Sequence, residues 1–150
     1  MTPDLDRLLS RLAPATPENL ELRLRFGLAC CERVQHLLED PQVQACVAEF
    51  RALLESSTGF EAHAALGAQA AALANRHPGS RSLDGVGHAA VSASYACAAA
   101  INGKPRQAAE YTAYAMVYGH GGHGATQDPA SFEPEDAWLA QQLQALLQED

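Results

Sequence analysis

A chain of 150 residues, 47% hydrophobic and with a net charge of −8, is long enough for one domain with a real core. Its apolar runs are broken by His, Gln, Asn or Ser, and none approaches the ~20 residues that a membrane span needs. A single lysine and the lack of any Lys/Arg cluster disfavour nucleic-acid binding, because phosphate contacts need clustered cations.

Helix starts are legible along the whole chain. Thr2-Pro3, Thr16-Pro17 and Asp40-Pro41 each set a capping side chain before a proline at the first helical position. Thr58 and Ser82 are suited to cap two more helices, and Lys104-Pro105 and Glu133-Pro134 begin the last two. The predicted helices are 3–13, 17–39, 41–56, 59–76, 83–102, 105–118 and 134–148. Period-2 alternation is missing, so no strand is predicted. The expected architecture is all-α: a single compact bundle of six to seven helices over residues 1–150.

In the second helix, Leu20, Leu24, Gly27, Leu28, Cys31, Val34 and Leu38 share one face, and Leu22, Phe26, Cys30 and Leu37 flank it. Such a helix belongs between neighbours. In the third, Val43, Cys46, Val47, Phe50 and Leu54 point inward; in the last, Leu139, Leu143, Leu146 and Leu147 do. Between them, residues 58–103 carry only Glu61, Arg76, Arg81 and Asp84 as charges. Ala62–Ala74 holds eight alanines in thirteen residues, and Ala89–Ile101 holds seven. Alanine is the best helix former, and its small side chain lets helices approach to roughly 8 Å. This pair is expected at the centre of the bundle.

Cys30, Cys31, Cys46 and Cys97 fall in apolar helical settings without CxxC or zinc-ligand spacing, and read as small buried thiols. The acidic Met1-Thr2-Pro3-Asp4-Leu5-Asp6 lacks the basic and apolar parts of a signal peptide. Both features predict a cytoplasmic protein. The charge is uneven: residues 1–57 hold six Arg against nine acids, whereas residues 104–150 hold Lys104 and Arg106 against seven. A basic partner suits such a surface, because opposite fields speed encounter.

The stretch 119–133 is expected to be the one long loop. His120 and His123 stand among glycines there, with Asp128 following, and could share a divalent metal; the alternative is a glycine-capped helix end followed by plain loop. His63, His88 and Cys97 lie in the alanine-rich helices, where a hydrogen bond to a neighbour is the commoner role than catalysis. No G-x-S-x-G turn and no Glu-x-x-His pair occurs, which leaves serine-hydrolase and di-iron chemistry without their usual residues. Tyr111, Tyr114 and Tyr118 share one face of the sixth helix, either packing against the alanine helices with their hydroxyls at the rim or meeting a partner.

Leu24-Arg25-Phe26-Gly27-Leu28-Ala29-Cys30-Cys31-Glu32-Arg33-Val34, followed by Leu37-Leu38-Glu39-Asp40-Pro41, resembles the opening helix of an immunity-protein family of bacterial polymorphic toxin systems, the fifth-numbered, alanine-rich and all-helical one. Gly87-His88-Ala89-Ala90-Val91-Ser92-Ala93-Ser94-Tyr95-Ala96 and Ala108-Ala109-Glu110-Tyr111-Thr112-Ala113-Tyr114-Ala115 are similar to later segments of that family. The resemblance implies a cytoplasmic, non-enzymatic protein without a cofactor that binds and neutralises a cognate toxin. The expected contact residues are Tyr111, Tyr114, Tyr118, His120, His123, Asp128, Glu133, Glu135 and Asp136: the tyrosines for contact area, the acids for steering. A small metal- or ligand-binding enzyme using His120, His123 and Asp128, and a helical interaction module with no toxin, stand as the alternatives.

Overall fold

The structure, a computed structural model, describes residues 1–56, 60–78 and 86–148, the side chains of Val86 and Gly87 apart. Seven helices occupy them: α1 (Pro3–Ser10), α2 (Pro17–Val34), α3 (Pro41–Glu55), α4 (His63–Asn75), α5 (Val86–Ile101), α6 (Pro105–Thr126) and α7 (Glu133–Gln148). Short 3₁₀ turns stand at Gln35–Leu37, Phe60–Ala62 and Pro129–Phe132. Among the described residues there is no strand, and no helix is long and apolar enough to cross a membrane.

Three of the helix starts are built as their sequence dictates. The Thr2 hydroxyl accepts from Leu5 N, that of Thr16 from Asn19 N at 3.1 Å, and the Asp40 carboxylate from Gln42 N at 2.8 Å, each satisfying a first-turn amide left over by the helix. Pro105 opens α6 with no side-chain cap from Lys104. The caps expected at Thr58 and Ser82 lie outside the described residues.

Helix α5 is the axis of the bundle, touching α2, α3, α4 and α6. Residues 86–101 carry no formal charge, and all of Ala96–Ile101 is buried. Small side chains are what four neighbours at once demand. At the crossing with α2, a Cβ on Gly27 would stand 2.9 Å from Cα, Cβ and O of Ala100, so the two backbones touch where the glycine lies. Ser94, fully buried, spends its hydroxyl on Ala90 O at 3.1 Å and leaves no polar orphan.

The C-terminus of α5 accounts for all four of its last carbonyls. Ala99 O accepts from Lys104 N at 3.0 Å and Ala100 O from Gly103 N at 3.1 Å, a Schellman turn that needs the positive φ (72°) of Gly103. Asn102 Nδ2 donates to Ala98 O at 2.8 Å and across to Gly67 O of α4 at 3.1 Å. His63 Nδ1 lies 2.9 Å from Ile101 O; a carbonyl only accepts, so this nitrogen carries the proton. His63 thereby joins α4 to the end of α5 as a cap.

The alanine-rich pair packs together as expected, but only α5 is enclosed. Helix α4 buries Leu66, Gly67, Ala70, Leu73 and Ala74 and turns Ala64, Ala65, Ala68 and Ala72 outward. The α2 prediction holds for Leu24, Phe26, Gly27, Cys30, Cys31 and Val34, while Leu20, Leu22, Leu28 and Leu37 are half-buried. Leu139 and Leu143 of α7 are buried; Leu146 and Leu147 are only partly so.

All four cysteines are free and buried. Three meet where α2 and α5 cross under α6: the Cys31 thiol lies against that of Cys97, and Cys30 lies near Thr112, whose hydroxyl is buried without a hydrogen-bond partner. Burial pushes the Cys30 thiol from 9.0 up to about 12. Cys31 is held well above its ordinary value, first by its bond to Cys97 and then by burial. None of these thiols makes a nucleophile with His63 or His88: His63 is spent on a carbonyl and His88 stands exposed among aromatic rings.

The long loop expected over 119–133 is helix for half its length. Helix α6 runs through Gly119 and Gly121 and changes direction at Gly122, whose φ of 64° only glycine adopts freely. The helix continues despite the poor helix propensity of glycine; a Cβ on Gly119 would make only ordinary contacts, 3.4 Å from Leu37 Cδ2 and 3.8 Å from Ala89 Cβ, so this position lies beside both without requiring glycine. Beyond Thr126 the Asp128 carboxylate accepts from Ala130 N at 3.0 Å and starts the turn that leads into α7.

Candidate functional site

Helices α5 and α6 run antiparallel, and their facing side chains form a ladder. Down α5 come Tyr95, Ser92 and His88; up α6, by the same steps of three and four, come Tyr111, Tyr114 and Tyr118. Tyr95 and Tyr111 stack with ring centres 5.4 Å apart and planes 23° off parallel. His88 lies 5.2 Å from Tyr118, and Tyr114 lies 5.0 Å from the same ring.

Both ends of the ladder are tied. The Tyr95 hydroxyl donates to Asn75 Oδ1 on α4 at 2.9 Å. The Tyr118 hydroxyl shares a hydrogen bond with His123 Nδ1, and the two rings meet edge to face at 4.9 Å. The bend at Gly122 is what returns His123 onto Tyr118, where it also meets His88 at 5.4 Å. Tyr118 is 3% exposed and serves as the buried base. Tyr111 and Tyr114 are each 38% exposed and, with Met1, are the exposed large apolar side chains among the described residues. The Tyr114 phenol is pushed above its ordinary value by burial first and the neighbouring Tyr118 phenol second.

Along the open side of the ladder runs a groove of about 480 Å³, lined by Ser92, Gln107, Glu110, Tyr111 and Tyr114. Its α6 residues follow i, i+3, i+4, i+7, one helical face. Tyr111 and Tyr114 are legible in the sequence as part of it; Glu110 and Gln107 are not picked out until the tyrosines are known to face outward. A larger hollow, about 570 Å³, lies between α1 and the start of α6. Of its three cations, Arg23, Lys104 and Arg106, two are committed: Arg23 donates to Leu12 O and Ala13 O at 2.7 Å each, and Arg106 pairs with Asp6 at 2.5 Å.

The remaining predicted residues fare unevenly. His120, Asp128 and Glu133 are exposed and join none of these contacts. Glu135 and Asp136 are 7% and 5% exposed and face inward, not toward a partner. Glu135 takes a two-pronged bond from Arg33 (3.2 and 3.1 Å), whose guanidinium also covers Trp138 at 4.4 Å; Asp136 accepts from Thr2 N at 2.8 Å. The trio of His120, His123 and Asp128 is not brought together: His123 is bonded to Tyr118, and Asp128 caps its own turn. Among the described residues no three of His, Cys, Asp or Glu lie close enough to hold a metal ion. Gly119, Gly121 and Gly124 have G-x-G-x-x-G spacing, but they sit at the end of a long helix and not after a strand, so the phosphate-binding context is missing.

Fold and surface together define an all-α bundle that displays one preorganised aromatic face. No family model, curated protein or solved structure matches the chain.

Proposed function

We propose that this chain is a binding protein that neutralises a cognate protein toxin by covering it, with the α5–α6 face as the contact and no chemistry of its own. The observation that carries this reading is the pair Tyr111 and Tyr114, half-open to solvent on rings fixed from behind by Tyr95 and Tyr118. Rigid tyrosines offer contact area at little entropic cost and dominate many interfaces. The toxin itself is suggested by the resemblance of the Cys31–Pro41 segment and the alanine-rich helices to the immunity family. Four buried free thiols suit the reducing cytoplasm.

The test is co-expression with the toxin domain encoded by the adjacent gene, with growth as the readout. The wild-type chain is expected to restore growth. Tyr111→Ala with Tyr114→Ala is expected to abolish rescue and weaken binding by at least roughly 30-fold, about 2 kcal/mol, with the helical spectrum unchanged. Full rescue by that variant would place the interface elsewhere.

The acids divide by burial. Asp128→Asn and Glu133→Gln should slow association and flatten its salt dependence, because both carboxylates face water. Glu135→Gln should leave the association rate alone and lower the melting temperature, because it breaks an internal fork with Arg33. The reverse pattern in stopped-flow and thermal melts would refute this assignment.

A further inference from the structure

Resting on the α5–α6 face as the contact surface, we infer that the groove beside Tyr111 and Tyr114 is a receptor for one arginine side chain of a basic protein partner. The groove holds the two features that a guanidinium needs. Tyr111 and Tyr114 line it, and aromatic rings attract a cation to their π faces. Glu110, next to Tyr111 and one helical turn before Tyr114, is the only carboxylate in the lining and is exposed. Ser92 and Gln107 supply further polar atoms for a planar fork of N–H donors. The nearest cation on the same helix, Arg106, is already paired with Asp6 at 2.5 Å and so is not held by Glu110.

Preorganisation favours arginine. Tyr111 is held by its stack on Tyr95, which is anchored through Asn75; Tyr114 leans on buried Tyr118. Neither ring must be ordered on binding, so less entropy is lost. A planar guanidinium lies flat on such a ring and forks to a carboxylate at its edge, whereas an ammonium is a compact, strongly hydrated charge. A volume of about 480 Å³ is ample for one side-chain head group with water around it. The overall charge of −8 draws a basic partner to the surface before the groove selects its residue.

The experiment is an NMR titration of the folded chain with N-acetyl-arginine amide, with N-acetyl-citrulline amide as the uncharged isostere and N-acetyl-lysine amide as the compact cation. Arginine amide is expected to give saturable shifts confined to the amides of Ser92, Gln107, Glu110, Tyr111 and Tyr114. Lysine amide should bind more weakly and citrulline amide should leave the spectrum unmoved. Glu110→Gln, an exposed substitution, should weaken arginine amide roughly tenfold without altering the fold. Equal shifts with citrulline, shifts spread over Asp128 and Glu133, or no saturable shift would overturn the inference. Growth rescue is scored separately. Rescue with an inert groove rejects the arginine receptor and keeps toxin binding; an arginine-binding groove without rescue keeps the receptor and rejects the toxin.

Discussion

Gly27→Val is expected to destabilise the protein by more than about 3 kcal/mol, or to prevent folding at growth temperature. The reason lies at the crossing of α2 and α5. A single Cβ at this position would meet Cα, Cβ and O of Ala100 at 2.9 Å, and two of those atoms are backbone of the central helix. No rotamer change relieves such a contact, so α5 must move away from α2. Separation opens the buried layer formed by Phe26, Cys30, Cys31, Cys97 and Ile101. Valine adds two methyl groups to the clash. Against this, replacing a helical glycine gains less than about 1 kcal/mol in propensity. For a domain of this size the shift corresponds to a fall of roughly 6–12 °C in melting temperature. Gly124→Ala is the control, because nothing lies within 4 Å of its Cβ and its backbone is not left-handed. That variant should melt at or slightly above the wild-type temperature. Equal melting of Gly27→Val and wild type, followed by circular dichroism, would show that α2 and α5 do not touch as described.

The same glycine shows what the sequence makes visible and what it hides. Its place on an apolar face of α2 is readable from spacing; that Ala100 is its neighbour is not, since the two are far apart in the chain. Local chemistry was the most legible. Thr2, Thr16 and Asp40 cap the helices they precede, because a cap involves only the next three residues. The burial of α5 was legible too, as residues 86–101 hold no charge that must reach water. Helix α4 was harder, because alanine gives little contrast between its faces. Ala70 is fully buried and Ala68 is exposed, and only Leu66, Gly67 and Leu73 mark the inner side.

Two of the misreadings concern the stretch 119–133 and the acids of α7. Glycine disfavours helix locally, so 119–133 reads as loop; the structure carries α6 on to Thr126, with its bend at Gly122. Acids on a helix read as surface; Arg33, 102 positions from Glu135, and the Thr2 amide, 134 from Asp136, draw these two inward. For the two acids a distant residue outweighs a local preference. The tyrosine face escaped this problem only in part. Spacing placed Tyr111, Tyr114 and Tyr118 together, but it is the bend at Gly122 and the return of His123 that bury Tyr118 and leave the other two open.

The buried thiols predict a steep loss of stability in alkali. Cys30 is raised from 9.0 to about 12 in the folded protein because its thiolate would have no water. A folded-state value above the unfolded one means that the contribution is complete below about pH 9 and is lost as pH rises toward 12. Unfolding then exposes a thiol that ionises freely. At pH 10.5 the loss from Cys30 alone is about 2 kcal/mol, and it grows by about 1.4 kcal/mol for each further pH unit up to pH 12. Cys31, shifted the same way by Cys97 and by burial, adds to the slope, and the raised Cys46 thiol has the same sign. Tyr114 joins only above pH 10, where an ordinary phenol begins to ionise. Guanidinium unfolding under a phosphine reductant at pH 8, 9, 10 and 10.5 measures the effect. The unfolding free energy should fall only slightly from pH 8 to 9 and steeply thereafter. Cys30→Ala separates this thiol from the rest: it lowers stability at pH 8 by removing a packed sulfur, yet its curve should descend less steeply by close to one proton. Parallel curves for the two proteins would mean that Cys30 ionises as readily folded as unfolded, which is incompatible with a sulfur sealed beneath α6 against Thr112.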